Sequence, residues 1–340
     1  MKDKLFGKTL TELQEVVAEL KLPKFTAKQI ADWLYKKPVG AIDEMTNLSK
    51  KARELLKARF DFGLTPHIKV QCSTDGTKKY LFPTIQNKYI ETAMIPDRDR
   101  RTVCVSSQVG CKMGCKFCFT AKQGFQGQLP AGEILNQLRS IDELGEISNI
   151  VYMGMGEPLD NLNEVLKSLE ILTAEWGFAM SPRRITVSTI GVIPGMRAFL
   201  EKSEAHLAVS LHTPFDAERR KIMPVQKVYP LKDVIDEIRK WDFGGQRRVS
   251  FEYILFDGLN DTSKHVAELS QLLDGLRCRI NLIRFHPVPD TPFKSPKESA
   301  IQQFKDALNN KGLLTTIRAS RGQDIFAACG LLSTKELGRS

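Results

Sequence analysis

Apolar and polar positions alternate along this chain in three successive rhythms. Over the first sixty residues the period is helical: Leu10, Leu13, Val17 and Leu20 form one stripe, headed by a capping-box pair, Thr9 and Glu12. A second helix is predicted after Thr26, with Ile30, Trp33 and Leu34 on one face and Pro38 ending it, then a third, basic helix over 48–60. Trp33 and Tyr35 offer rings on which a base could stack, but core packing is the plainer reading for Trp33. Between 70 and 96 the period drops to two, with Asp75-Gly76 and Gln86-Asn87 as turns between strands at 70–73, 79–82 and 89–95. From residue 102 strand, loop and helix repeat, with strands at 102–106, 149–153, 184–188, 206–211, 248–255 and 279–285. Helices fall near 131–144, 162–173, 195–202, 231–240 and 262–275, followed by a helix at 299–310 and a closing strand at 313–318. This order indicates a parallel α/β sheet, either doubly wound or a partial barrel. Pro287, Pro289, Pro292 and Pro296 mark a loop.

In such sheets ligands gather at the carboxyl ends of the strands, and the unusual residues fall there repeatedly. After the first strand come Cys111, Cys115 and Cys118 at C-x3-C-x2-C spacing. A structural zinc wants four ligands, and no further cysteine or histidine follows within about twenty residues. Three thiolates suit a 4Fe–4S cluster with one iron open. The turn Gly154-Met155-Gly156-Glu157 follows the second strand, where glycine lets backbone approach a ligand and the carboxylate can accept from an ammonium group. Ser188 ends the third strand, Ser210-Leu211-His212 the fourth, and His286 the sixth. Cys329, beside Gly330 on a predicted loop, is either a nucleophile or an inert thiol. Glu91, on the last ribbon strand, reads from its position as a solvent-facing residue.

Composition narrows the setting. Seven cysteines in 340 residues, three on one loop, argue against a disulfide framework and for a reducing cytoplasm. No apolar run is long enough for a membrane span, and the first residues lack a signal-peptide core. The net charge of +10 points to a polyanion such as nucleic acid, with cations clustered at Arg183 and Arg184, at Arg219, Arg220 and Lys221, at Arg247 and Arg248, and at Arg318 and Arg321.

Five stretches in order resemble the RlmN/Cfr family of radical S-adenosylmethionine RNA methyltransferases, through about residue 332. They are the run from Thr102 to Cys111, Gly154-Met155-Gly156-Glu157-Pro158-Leu159, Ser181-Pro182-Arg183-Arg184, Ser210-Leu211-His212 and Ala327-Ala328-Cys329-Gly330. The resemblance implies a partial (β/α)6 barrel at 102–290, with an N-terminal helical domain at 1–65, a linking β-ribbon at 66–101 and a C-terminal extension at 291–340. It implies that Cys111, Cys115 and Cys118 hold the 4Fe–4S cluster, and that Gly156, Glu157, Ser188, Ser210, Leu211, His212 and His286 line the S-adenosylmethionine site. Cys329 would take a methyl group from one S-adenosylmethionine, and a 5′-deoxyadenosyl radical from a second would activate that methyl for addition to adenine. Cys104 would release the RNA through a transient disulfide with Cys329, with Glu91 as proton acceptor.

The implied substrates are carbon 2 of adenosine 2503 in 23S rRNA and adenosine 37 in tRNAs, served by a monomer and an electron donor such as flavodoxin. Asp75-Gly76-Thr77-Lys78 and Gly322-Gln323-Asp324-Ile325 resemble the housekeeping branch more than the resistance-conferring branch that acts on carbon 8. The chain departs from the family at His286, where asparagine is common, and at Phe119, where a small residue is usual. The rival readings are a non-catalytic RNA-binding module with a structural metal and a radical enzyme acting on a small metabolite. The second leaves the basic N-terminal helices without a role.

Overall fold

The computed structural model describes residues 2–245, 247–288 and 291–334. Helix α1 (Leu10–Glu19) starts on the expected capping box: Thr9 Oγ1 accepts from the Glu12 N–H at 3.2 Å, and the Glu12 carboxylate accepts from the Thr9 N–H at 2.7 Å. Helices α2 (Thr26–Tyr35) and α3 (Lys50–Arg59) follow. Two short strands, β1 (Asp3–Lys4) and β2 (Phe60–Asp61), pair in parallel and close this unit. Their two-residue length leaves no periodic signal to read. Both aromatic candidates for base stacking are packing residues. Trp33 is buried, and Tyr35 lies 5.6–5.9 Å from the rings of Phe6, Trp176 and Phe178, its hydroxyl donating to the Lys8 carbonyl at 2.6 Å.

The ribbon consists of β3 (Lys69–Cys72), β4 (Lys78–Pro83) and β5 (Tyr89–Asp97), joined by the two expected turns. It runs antiparallel into β6 (Arg100–Cys104), so ribbon and barrel share one sheet. A short pair, β7 (Gln108–Val109) and β8 (Gly127–Gln128), brackets the cysteine loop and α4 (Phe119–Gln123). The repeating units are α5 (Ala131–Arg139), β9 (Asn149–Tyr152), α6 (Leu162–Thr173), β10 (Ile185–Thr189), α7 (Ile193–Lys202) and β11 (His206–Ser210). They continue through α8 (Asp216–Ile222), α9 (Leu231–Ile238), β12 (Val249–Leu255), α10 (Ser263–Leu272), β13 (Cys278–Arg284), α11 (Glu298–Asn310) and β14 (Thr315–Ile317).

The sheet order is β14-β13-β12-β11-β10-β9-β6-β5-β4-β3, parallel from β6 to β14. Among the described residues β14 and β3 do not pair, so the sheet is an open partial barrel of six βα strands with β14 as an added parallel strand. Helix α8 was not foreseen, because a seven-residue helix rich in charge carries little apolar period. Pro287, Pro292 and Pro296 lie in the irregular link between β13 and α11, whereas Pro289 lies outside the described residues. Among the described residues no helix is long and apolar enough to cross a membrane.

One buried side chain ties helix, ribbon and barrel together where the site begins. Gln137 of α5 is fully buried; its Oε1 accepts from the Ser106 N–H and the Thr92 hydroxyl, each at 2.7 Å, and its Nε2 donates to the Ser106 carbonyl at 2.8 Å. Leucine in its place strands buried polar groups on both strands, so Gln137→Leu is expected to cost about 2–4 kcal/mol of unfolding free energy. Urea denaturation of the metal-free chain reads this directly, and an unchanged midpoint would show that the bridge is dispensable.

Candidate active site

At the carboxyl ends of the barrel strands lies a cavity of about 1060 Å³, its open mouth included. Cys111, Cys115 and Cys118 line it, as do Gly154, Gly156, Glu157, Ser188, Ser210 and His212, and so do both outlying thiols, Cys104 and Cys329.

The cysteine loop is held from several sides. Gly110 has φ +70°, and a Cβ there would sit 1.7 Å from the Gly124 carbonyl oxygen, so the loop closes only around glycine. The Lys116 N–H donates to the Ile222 carbonyl at 2.9 Å, fixing the loop to α8. Burial pushes the Cys111 thiol up to about 12, raises Cys115 well above its ordinary value and raises Cys118, so without metal all three hold their protons. A coordinated metal removes such a proton outright. Among the described residues no three histidine, cysteine or acidic side chains converge on a single ion. Three cysteines lining one cavity fit a polynuclear cluster, in which each sulfur takes its own iron and one iron stays open.

The glycine turn is packed directly on the end of the first barrel strand. A Cβ on Gly154 would lie 2.7 Å from the Val105 carbonyl, and the Gly154 N–H donates to that carbonyl at 3.0 Å. Glu157 is buried, and its carboxylate accepts from the N–H groups of Leu159 at 3.1 Å and Ile190 at 3.0 Å. Burial raises its pKa to about 7 against those hydrogen bonds. His212 has φ +60° and is held near a pKa of 3 by burial and then by Arg219, so it is neutral. Its Nδ1 accepts from the Ile254 N–H at 3.0 Å, which places the ring proton on Nε2. Arg219, fully buried, donates to the carbonyls of Leu211 at 3.3 Å, Ile190 at 2.9 Å and Ser210 at 3.0 Å, and thereby ties together the ends of β10 and β11.

Cys329 sits on an irregular segment that crosses the cavity. The Phe119 N–H donates to the Gly330 carbonyl at 2.8 Å, and Thr120 Oγ1 donates to the Leu332 carbonyl at 2.6 Å. On the other side, Asp75 accepts from the Gly322 N–H at 2.8 Å, while Asp324 accepts from Ser73 Oγ at 2.5 Å and from the Thr74 N–H at 3.2 Å. The two stretches that resembled the housekeeping branch are therefore joined to each other. All seven cysteines are free thiols, so the anticipated Cys104–Cys329 disulfide is absent in this state. Cys104 is buried at the end of β6 and pushed up to about 12, first by burial and then by Cys329.

Three expected site residues stand apart from the cavity wall. Leu211 is fully buried in the core, and His286 is half-buried beyond the lining residues. Glu91 is also buried, against the expectation of a solvent-facing strand residue. Its carboxylate pairs with Lys79 Nζ at 3.0 Å and accepts from the Ser333 N–H at 2.9 Å, which places it behind the Cys329 segment. Arg219 and Arg247, counted from the sequence among the surface cations, are buried. Two lining residues, Glu252 and Arg318, were not read from the sequence as site residues. The alternation Ser250-x-Glu252 along β12 is the signal that could have found the first.

Residues 105–270 match the model of the radical SAM superfamily, and residues 4–61 match the N-terminal domain of ribosomal RNA large subunit methyltransferases. A radical SAM methyltransferase from Sphaerobacter thermophilus has the same fold, with TM-score 0.91 and 39% identity over 97% of this chain and 99% of that one. Fold and cavity thus define a radical S-adenosylmethionine methyltransferase, whose cofactors are a 4Fe–4S cluster and S-adenosylmethionine. A probable dual-specificity RNA methyltransferase RlmN from Bacteroides fragilis is 54% identical over 97% of this chain and 96% of its own length. The dual-specificity RNA methyltransferase RlmN of Syntrophus aciditrophicus is 43% identical over 97% and 96%. The chain belongs to the RlmN family of dual-specificity RNA methyltransferases.

The Asp75 tether gives a direct test. Hydrogen bonds from Gly322, Thr77 and Ser73 overcome burial and hold its carboxyl near 2, below the ordinary 3.8. A depressed carboxyl stabilises the fold above its unfolded value, and that contribution is lost as pH falls from about 4 toward 2. Asp75→Ala is expected to speed hydrogen exchange at the Gly322 and Ala327 amides at neutral pH; unchanged protection there would show that the segment is anchored elsewhere.

Proposed function

We propose that this enzyme methylates carbon 2 of adenosine 2503 in 23S rRNA and of adenosine 37 in tRNAs. The observation that carries the reading is that five cysteines, Cys104, Cys111, Cys115, Cys118 and Cys329, line one cavity. A structural metal module has no use for the last of these, and an enzyme acting on a small metabolite has no need of a net charge of +10.

In this reading Cys111, Cys115 and Cys118 hold the cluster. Gly156, Glu157, Ser188, Ser210 and His212 face S-adenosylmethionine from the wall, while Leu211 and His286 act from behind it. When bound, the cluster and S-adenosylmethionine supply the methyl group and the radical that the reaction consumes. Glu157 gives its carboxylate to backbone donors and so keeps the turn open for a ligand. His212, neutral and fixed in tautomer, offers an Nε2–H donor. Cys329 carries the methyl carbon to the base, since adenine carbon 2 is too electron-poor to attack a sulfonium methyl itself. Cys104, deprotonated, then attacks the Cys329 sulfur: the S–S bond forms as the bond from that sulfur to the RNA-borne carbon breaks, the electron pair passes to the adenine, and a proton on that carbon completes the methyl group and frees the RNA. Glu91 is the proton acceptor of the family resemblance; in this structure it also fixes Ser333, four residues after Cys329. The same reading includes a flavodoxin-type electron donor, a monomer and a cytoplasmic setting.

Purified without oxygen, the protein is expected to carry about four irons and four sulfides per chain, lost in Cys115→Ala. Zinc in a colourless protein would overturn the reading. Cys329→Ala should keep its cluster yet leave RNA unmethylated, and Cys104→Ala should accumulate a covalent protein–RNA species visible on a denaturing gel. Mass mapping of the modified adenosine separates carbon 2 from the rival carbon 8 product.

A further inference from the structure

The cavity shares part of its wall with a second one. Met153, Glu252 and Arg318 line it and also line a second, larger opening at the other end of the barrel. That opening lies at the amino ends of the strands, where Arg183, Arg184, Arg248 and Arg277 are exposed. The pair Glu252 and Arg318 thus stands between the cavity that holds the two thiols and a basic mouth at the opposite end of the strands.

Glu252 is buried; one carboxylate oxygen accepts from Asn281 Nδ2 at 2.8 Å and Ser250 Oγ at 3.3 Å, the other pairs with Arg318 Nη1 at 3.2 Å. Arg318 also contacts Met153 Sδ at 3.2 Å, and its charge acts on both Cys104 and Cys329. The Glu252 carboxylate is buried while 33% of the Arg318 side chain stays exposed, and a pair so placed contributes little net stability compared with well-packed apolar side chains, so its place in the wall calls for a polar ligand.

We propose that Glu252 and Arg318 together hold the Watson–Crick edge of the target adenine, which enters through the arginine-rimmed mouth. This rests on the methyl-transfer reading above. The adenine edge sets an amino donor, N6, beside a ring acceptor, N1, and a carboxylate beside a guanidinium is its complement. A flipped base reaches such a depth, with phosphates neutralised at the rim. A donor on N1 draws electron density from the adjoining carbon 2, the carbon the sulfur-borne methyl must reach. Carbon 8 lies on the opposite edge, away from the thiols. One pair thus selects both the base and the carbon.

The test uses the holoenzyme and an RNA stem-loop with adenosine or inosine at the target position. Inosine reverses the edge, with an oxygen at position 6 and an N–H at position 1. The wild-type enzyme is expected to disfavour it by about 100-fold or more in kcat/KM. In the double variant Glu252→Leu/Arg318→Leu, which leaves no buried charge alone, that discrimination should fall to within about threefold. Arg318→Lys, which keeps a donor, should retain about a tenth of the wild-type rate on adenosine, against about a hundredth for Arg318→Leu. Methylation of Cys329, followed by protein mass in the same samples, separates the causes. A double variant that still rejects inosine overturns the proposal, as does one that also loses Cys329 methylation, because the pair then serves the fold. A wild-type carbon 8 product overturns it while leaving methyl transfer standing. If the wild type methylates neither Cys329 nor RNA, the methyl-transfer reading itself fails.

Discussion

A reactive cysteine on irregular chain must be held by partners from elsewhere, because a segment with no helix or strand cannot satisfy its own backbone groups. After β14 the described chain forms no further helix or strand. Gly322 is held by Asp75, Gly330 by the Phe119 amide, Leu332 by Thr120 and Ser333 by Glu91. The ribbon and the start of α4, next to the cysteine loop, supply all four. The ribbon is therefore more than a connection to the N-terminal helices: its turn and its inner strand hold the segment that carries Cys329 on both sides of that residue. The Phe119–Gly330 bond joins the residue after Cys118 to the residue after Cys329, so one hydrogen bond links the cysteine loop to the Cys329 segment.

Charge in the site is sparse and placed. Cys104 and Cys115 are buried and burial keeps their protons on, whereas Cys329 is exposed, and the two cations nearest these thiols are themselves committed to other groups. Arg219 sits beneath the cluster loop and binds strand-end carbonyls, while Arg318 lies near the outer pair of thiols and binds Glu252. In a medium of low dielectric each such charge acts strongly over a few ångströms. The neutral His212 and the backbone-bound Glu157 keep the remaining wall free of uncompensated charge.

Much of this was legible in the sequence because strand ends, turns and cysteine spacing are local signals. The βα rhythm, the Asp75-Gly76 hairpin and the strand-end location of the cysteine loop could all be read that way. What escaped depended on parity and on partners distant in sequence. Along β10 to β13 the residues Thr186, Ser188, Ser210, Ser250, Glu252 and Asn281 line the two cavities, together with Ile254 and Ile283 at the same parity. Leu211 continues this alternation into the core, which a motif read as a block cannot show. Arg219 looked like one of three adjacent solvated cations, yet a single turn of helix buries it and exposes Arg220 and Lys221. Glu91 looked like an exposed strand residue, since neither Lys79 nor Ser333 is near it in sequence.

The reciprocal bonds between the Ser73–Thr77 turn and Gly322 and Asp324 also bear on the order of events during synthesis. The cysteine loop, the glycine turn and the barrel strands are all made before residues 319–334. Until that last stretch leaves the ribosome, the cavity lacks the segment that crosses it, and the turn's carboxylate has no amide to accept from. Chain order thus separates building the cavity from covering it, and leaves an interval in which its mouth is wider than in the finished protein.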